Sequence, residues 1–278
     1  MDKLFEKTTF ECSRIITKRY STSFSMGIRV LHPRFHNPIY AIYGFVRYAD
    51  EIVDTFRGNN KEELLLKFKT DTYEAINGKI SLNPVLHSFQ HVVNQYNIPL
   101  PLIASFFESM GMDLQINRYD NQLYEKYIYG SAEVVGLMCL NVFCENNKTQ
   151  YNNLTHAARK LGAAFQKVNF IRDIGADYKE RGRVYFPHLK ITHLSEEAKL
   201  QIVNDIEQDF KEAKRGILNL PAGCRAGVYL AYAYYVLLFK KIKRSSIQNI
   251  LTGRIRIADP IKIFLMLQVY LKYKLNLL

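Results

Sequence analysis

The chain is expected to fold as an all-α protein, and three observations point there. Apolar residues recur at helical spacing through most of its 278 residues. Proline opens several of these runs, where a missing N–H costs nothing. No segment alternates apolar and polar residues between turn signals, as a half-buried strand would. Eight or more helices are expected around a central space.

The first strong element spans 38–54 and opens with Pro38. The run 61–77 is amphipathic, with Leu64, Leu65, Phe68, Thr72 and Ile76 on one side and Gly78 as its stop. Runs 84–96 and 101–117 also begin with proline. The run 124–145 is long and mostly apolar, interrupted by Gly130 and Gly136, and 152–178 follows it. Ser195-Glu196-Glu197-Ala198 reads as a helix entry, with an amphipathic run to about Leu220 before Pro221-Ala222-Gly223 breaks the chain. Helices over 225–243 and 260–278 complete the set. No Gly/Ser/Pro-rich linker, repeat or low-complexity tract divides the sequence, so 1–278 is expected to be one domain.

Hydrophobic residues make up 48% of the chain, enough for a substantial core. A net charge of +12 leaves open nucleic acid, an anionic membrane surface or an acidic small substrate. The basic residues are dispersed, with modest clusters at 240–244 and 254–256, and no nucleic-acid-binding motif accompanies them, so no nucleic-acid partner is expected. Cys12, Cys139, Cys144 and Cys224 have neither zinc-site spacing nor a disulfide pattern. The amino terminus lacks the apolar core of a signal peptide, and the run 228–239 is shorter than the roughly 20 residues a bilayer span needs. A cytoplasmic location is expected. The run 261–274 mixes apolar and basic residues, a composition that fits an ordinary terminal helix and also peripheral contact with the inner face of a membrane.

Two polar stripes interrupt apolar helices. Arg47, Asp50 and Asp54 are spaced by three and four residues, so they share a helix face. Gln166, Asn169, Asp173 and Asp177 do the same, with Arg172 one step aside. Like charges four residues apart cost a helix about 0.2–0.5 kcal/mol, so some cation should offset them. One stripe alone is explained equally well by a structural salt-bridge network. Two, both embedded in apolar sequence, point to a cavity holding Mg²⁺, or Mn²⁺ in its place, together with a diphosphate. Arginines and metal ions stabilise the charge that develops when an allylic diphosphate departs, and Arg47, Arg172, Gln166 and Asn169 are suited to gripping its oxygens. Segment 20–25, Tyr-Ser-Thr-Ser-Phe-Ser, reads as a helix cap or loop, or as a phosphate-contacting flap. Among the aromatic residues, Phe24, Tyr43, Tyr127, Tyr129, Phe165 and Tyr229 are candidates to face a carbocation, and core packing explains each of them as well.

These residues closely resemble the squalene/phytoene synthase family along nearly the whole chain. Its first aspartate-rich motif resembles Tyr48-Ala-Asp50-Glu51-Ile-Val-Asp54, and its second resembles Asn169-Phe-Ile-Arg172-Asp173-Ile-Gly-Ala-Asp177 followed by Gly182-Arg183-Val-Tyr185-Phe186-Pro187. The stretch 127–138 and the Met112-Asp113 step are similar to further family signatures, and the amino-terminal style is most like bacterial phytoene synthases. The resemblance implies an isoprenoid-synthase-type helical bundle around a central cavity. It also implies condensation of two prenyl diphosphates through a cyclopropylcarbinyl diphosphate. Two geranylgeranyl diphosphates would give phytoene, at the entry to carotenoids, with no NADPH expected. Two farnesyl diphosphates would give squalene or dehydrosqualene instead. On this reading Asp50, Asp54, Asp173 and Asp177 hold or support the metal. Arg47, Gln166, Asn169 and Arg172 contact diphosphate, as do Ser23 and Tyr127, and Tyr229 and Arg256 contribute from the carboxy-terminal helices. Glu133 stands where the family usually has glycine, placing a carboxylate near the expected cavity, and Tyr20 stands where some relatives have histidine. A non-catalytic relative, serving assembly or lipid binding, would be free to lose the carboxylates, and this chain keeps all four.

Overall fold

The computed structural model describes residues 3–56, 60–187, 189 and 194–275. The all-α expectation holds: among these residues there is no strand, only an isolated bridge between Arg118 and Val184. Two amino-terminal helices that periodicity did not single out come first, α1 (Lys3–Tyr20) and α2 (Thr22–Val30). The hydroxyl-rich segment proves to be the start of α2, where the Phe24 N–H donates to Ser21 Oγ at 3.2 Å. That is a serine cap, one of the two structural readings its sequence allowed.

A short 3₁₀ turn leads into α3 (His36–Asp54), two residues ahead of Pro38. α4 (Lys61–Gly78), α5 (Pro84–Tyr96) and α6 (Leu100–Gln115) follow close to expectation. Phe45 explains why α3 sits where it does. Its ring stacks on Phe89 at 3.8 Å and lies within 6 Å of Phe68, Phe106 and Phe107. This aromatic knot buries the back of α3 against α4, α5 and α6, so the polar stripe faces the other way.

The single helix expected over 124–145 is three pieces: α7 (Asn121–Ile128), a π-helical turn (Tyr129–Glu133) and α8 (Val134–Cys144). Gly130 lies inside the π turn, so the interruption read there is real, whereas α8 runs unbroken through Gly136, where a second is expected from the sequence. α9 (Lys148–Arg181) is longer than expected at both ends, and its second stripe faces inward. α10 (Glu196–Ile217) is amphipathic and packs along α9, and Lys167 anchors it through Asp205 at 2.6 Å and the buried Asp209 at 2.7 Å. α11 (Ala222–Arg244), a short α12 (Ile247–Thr252) and α13 (Asp259–Lys274) finish the chain. The last three residues of the expected 260–278 helix lie outside the described residues.

Two helical stretches, Asn121–Cys144 and Ala222–Arg244, are long and apolar enough to cross a membrane by length and composition. This corrects the estimate based on 228–239 alone, because the helix extends well past that run at both ends. Of the two, the first is 61% buried within the protein. Both carry side chains that wall the central cavity, which accounts for their apolar character.

Candidate active site

A cavity of about 630 Å³ lies between the two buried apolar clusters of the fold. All four stripe aspartates line it, as do Arg47, Arg172, Gln166 and Asn169. Ser23, Phe24, Tyr43 and Tyr127 line it too. Phe165 joins them, so thirteen of the sixteen residues singled out from sequence share one wall system. Tyr229, Arg256 and Tyr129 do not.

Tyr229 packs into the first apolar cluster beside Tyr232, with ring centroids 5.8 Å apart. The cavity face of α11 consists of Gly227, Val228, Ala231, Tyr234 and Tyr235, and Tyr235 takes the place expected of Tyr229. Its hydroxyl donates to Asn169 Oδ1 at 3.4 Å, and its ring stacks on Phe165 at 3.9 Å. Arg256 is exposed, with its carbonyl held by Lys241 Nζ at 2.8 Å. Arg254 reaches the site instead. Ile255 and Ile257 turn inward along this extended segment, and Arg254 lies close enough to bind Asp173. Tyr129 also lies off the cavity, under the guanidinium of Arg159 at 5.2 Å. Glu133 does not enter either: it pairs with Arg159 Nε at 2.6 Å on the outer side of the π turn.

The charged end is built from two helices and one returning loop. On α3, Arg47 is bound by Glu51, stands 3.9 Å from Asp50 and lies over the Tyr20 ring at 4.2 Å. Its Nε is buried and has no hydrogen-bond partner. Burial and the neighbouring Asp54 charge push the Asp50 carboxyl up to about 8, against the pull of Arg47. On α9, Arg172 grips Asp173 through Nε–Oδ1 at 2.9 Å and Nη2–Oδ2 at 2.5 Å.

Gly182 ends α9 at φ 64°, a left-handed position that glycine adopts without strain. The reversal sends Arg183 back into the protein, where it bonds the Asp113 carbonyl at 2.5 Å and stands 3.1 Å from Asp113 Oδ1. Tyr127 donates to Asp113 Oδ2 at 2.7 Å, and Tyr185 donates to Oδ1 at 3.2 Å. All four side chains are buried. Burial raises the Asp113 carboxyl to about 6, with Arg183 and Tyr127 opposing the rise. Asp113, Arg183 and Tyr185 were visible as sequence signatures, but only the fold joins them to Tyr127 at the cavity wall.

The carboxylates at this end are hard oxygen donors, and no histidine lines the cavity. Among the described residues no three His, Cys, Asp or Glu side chains form a ready-made metal cage. That donor set fits Mg²⁺ or Mn²⁺, which keep water and substrate phosphate as ligands. It fits a soft-metal site poorly. The raised Asp50 carboxyl is what a cation held between Asp50 and Asp54 would reverse. Beyond the charged end, Phe24 links Tyr43, Phe165 and Tyr235, with ring centroids between 5.7 and 6.4 Å. Apolar side chains from α2, α8, α9 and α10 close the rest.

Comparison with known proteins agrees with this geometry. Over 258 residues the chain is 27% identical to phytoene synthase 1 of Solanum lycopersicum, covering 84% of this chain and 61% of that protein's own length. It is 27% identical to phytoene synthase 1 of Arabidopsis thaliana over 255 residues, covering 84% of this chain and 60% of that protein. A dehydrosqualene synthase crystallised with a ligand shares the fold at a TM-score of 0.82 and 22% identity, over 97% of this chain and 98% of its own. A squalene synthase from Alicyclobacillus acidocaldarius does so at 0.76 and 19%, over 87% and 96%. The squalene/phytoene synthase family itself matches residues 17–259, and the chain belongs to that family.

Proposed function

We propose that the protein condenses two geranylgeranyl diphosphates head to head, through a cyclopropylcarbinyl diphosphate, to phytoene. Diphosphate is lost in both stages and a proton at the end, with no reductant. One observation carries this reading: a single cavity joins two aspartate stripes and two arginines at one end to an aromatic and aliphatic body at the other. That matches a substrate with a charged head and a long hydrocarbon tail.

Asp50, Asp54, Asp173 and Asp177 are the residues that would hold Mg²⁺, which when bound supplies Lewis-acid stabilisation of the departing diphosphate. Arg47 brings a buried, unpartnered N–H to the same end. Arg172 and Arg254 lie where they can exchange Asp173 for phosphate oxygens. The rings of Phe24, Tyr43, Phe165 and Tyr235 offer π faces to a cation formed beside them. The apolar walls exclude the water that would otherwise quench it.

Purified protein incubated with Mg²⁺ and geranylgeranyl or farnesyl diphosphate, with and without NADPH, tests the choice by mass spectrometry of the extracted hydrocarbon. The reading predicts a C40 product without NADPH. A C30 product would move the protein to the squalene or dehydrosqualene branch.

A further inference from the structure

Tyr20 ends α1 with its ring over the guanidinium of Arg47, whose Cζ lies 4.2 Å from the ring centroid. Both residues line the charged end of the cavity. Packing does not explain the placement. Tyr20 is 51% exposed, whereas the residues that seat α1 are the buried Thr9, Phe10, Ser13 and Thr17. A ring left half in water gains little from burial.

The ring is aimed by a close approach of two helices. Ser13 is fully buried, and its hydroxyl shares a hydrogen bond with that of Ser88 on α5 at 2.8 Å. A Cβ on Gly44 would fall 2.9 Å from Ser13 Oγ, so α1 and α3 meet closely there. From that contact Tyr20 lies about two turns along α1, and Arg47 about one turn along α3. Ser21 then caps α2, so the chain changes direction directly after the ring.

Arg47 is the group that the ring acts on. Glu51 binds Nη2 from the same helix, and Asp50 Oδ2 stands 3.9 Å from Nη1. Nε is buried and has no hydrogen-bond partner. Glu51 alone fixes one nitrogen and leaves the guanidinium plane free to rock about that bond. A ring over one face fixes the plane, because a π face attracts the cation above it. It also closes that face to ligands, which must then meet the donors in plane, where phosphate oxygens bind best. An arginine already held in one arrangement loses less freedom on binding.

We propose that Tyr20 is a positioning residue for Arg47, whose guanidinium its ring holds in the plane that binds diphosphate. Tyr20 acts through Arg47 and touches no reacting atom. The role rests on the diphosphate reading given above.

Calorimetric titration of inorganic diphosphate with Mg²⁺, on the full chain and its variants, tests it. Y20F keeps the π face and is expected to bind within about twofold of wild type. Y20L keeps apolar bulk but loses that face, and is expected to bind about fivefold more weakly with unchanged helical circular dichroism. Y20Q, polar and equally without a π face, decides the matter if Y20L disturbs the fold. In an R47Q background Y20L should cost nothing further, because the residue it acts through is gone. Wild-type affinity in whichever of Y20L and Y20Q folds overturns the proposal. So does a loss that Y20F shares in full, or one that persists undiminished in R47Q. Failure of the underlying reading looks different: wild type itself would show no Mg²⁺-dependent binding, and the role would fall with it.

Discussion

Arg254 meets Asp173 with Nε 3.0 Å from Oδ1 and Nη2 3.3 Å from Oδ2, on a carboxylate already held by Arg172. Two guanidinium groups therefore converge on one aspartate of the second stripe. Arg254 is half exposed, so its pairing with Asp173 contributes little to stability in itself. Its value lies in holding a fork-shaped donor at the charged end of the cavity. Replacing Arg254 with alanine is expected to lower kcat/KM by about tenfold to a hundredfold, the worth of one charged hydrogen-bond pair. Arg256→Ala should stay within about twofold, because that side chain points to solvent. Steady-state kinetics of the two variants side by side checks this.

Gly175 sits between Asp173 and Asp177, and a Cβ there would fall 2.1 Å from the Leu251 carbonyl oxygen. That close approach lets α12 lie on α9, and it brings the following segment, with Arg254, to Asp173. Gly175→Ala is expected to cost about 1–3 kcal/mol from overpacking. It should also lower activity by displacing Arg254. Thermal unfolding measured beside kcat/KM reads both effects.

Arg183 is buried against Asp113, and removing it leaves a carboxylate without its cation in an apolar surround. Arg183→Met should destabilise the protein by about 3–5 kcal/mol, as breaking a buried pair does. Adding Asp113→Asn should recover part of that loss, since no charge then stays buried. Denaturant unfolding of the single and double variants makes the comparison.

Asp50 gives a pH signature. Its carboxyl is raised in the metal-free fold from 3.8 to about 8. Stability from this group is therefore complete below about pH 4 and is lost as pH rises through about 8. Asp50→Asn should remove that loss and leave the metal-free protein more stable than wild type above about pH 8. The gain should be about 1–2 kcal/mol, held down because a third of the side chain touches water. Metal-free melting curves across this range check the sign. Mg²⁺ binding below pH 8 should release a proton, so affinity should rise with pH.

Much of this was legible in the sequence, and the exceptions share a cause. Helical spacing put Arg47, Asp50 and Asp54 on one face, and Gln166, Asn169, Asp173 and Asp177 on another, and both faces do meet the cavity. Spacing failed on α11, where tyrosines at 229, 232, 234 and 235 populate several faces and only packing selects Tyr234 and Tyr235. It failed for Arg254 because an extended segment has no helical phase to read, and its position is set by Ile255 and Ile257 turning into the core. Glu133 looked like a cavity carboxylate because the π turn that rotates it toward Arg159 leaves no clear mark in the sequence beyond Gly130. Asp113 lies about 70 residues from Arg183 and Tyr185 along the chain, so its union with them is a property of the fold alone.

Calorimetric titration of inorganic diphosphate reads whether both aspartate stripes form one Mg²⁺-dependent diphosphate site. Wild type should bind diphosphate tightly with Mg²⁺ and at least about tenfold more weakly without it, and Asp50→Asn and Asp173→Asn should each abolish the Mg²⁺-dependent part while folding normally. Diphosphate binding that ignores Mg²⁺, or that survives unchanged in both variants, would mean that the two stripes do not form such a site.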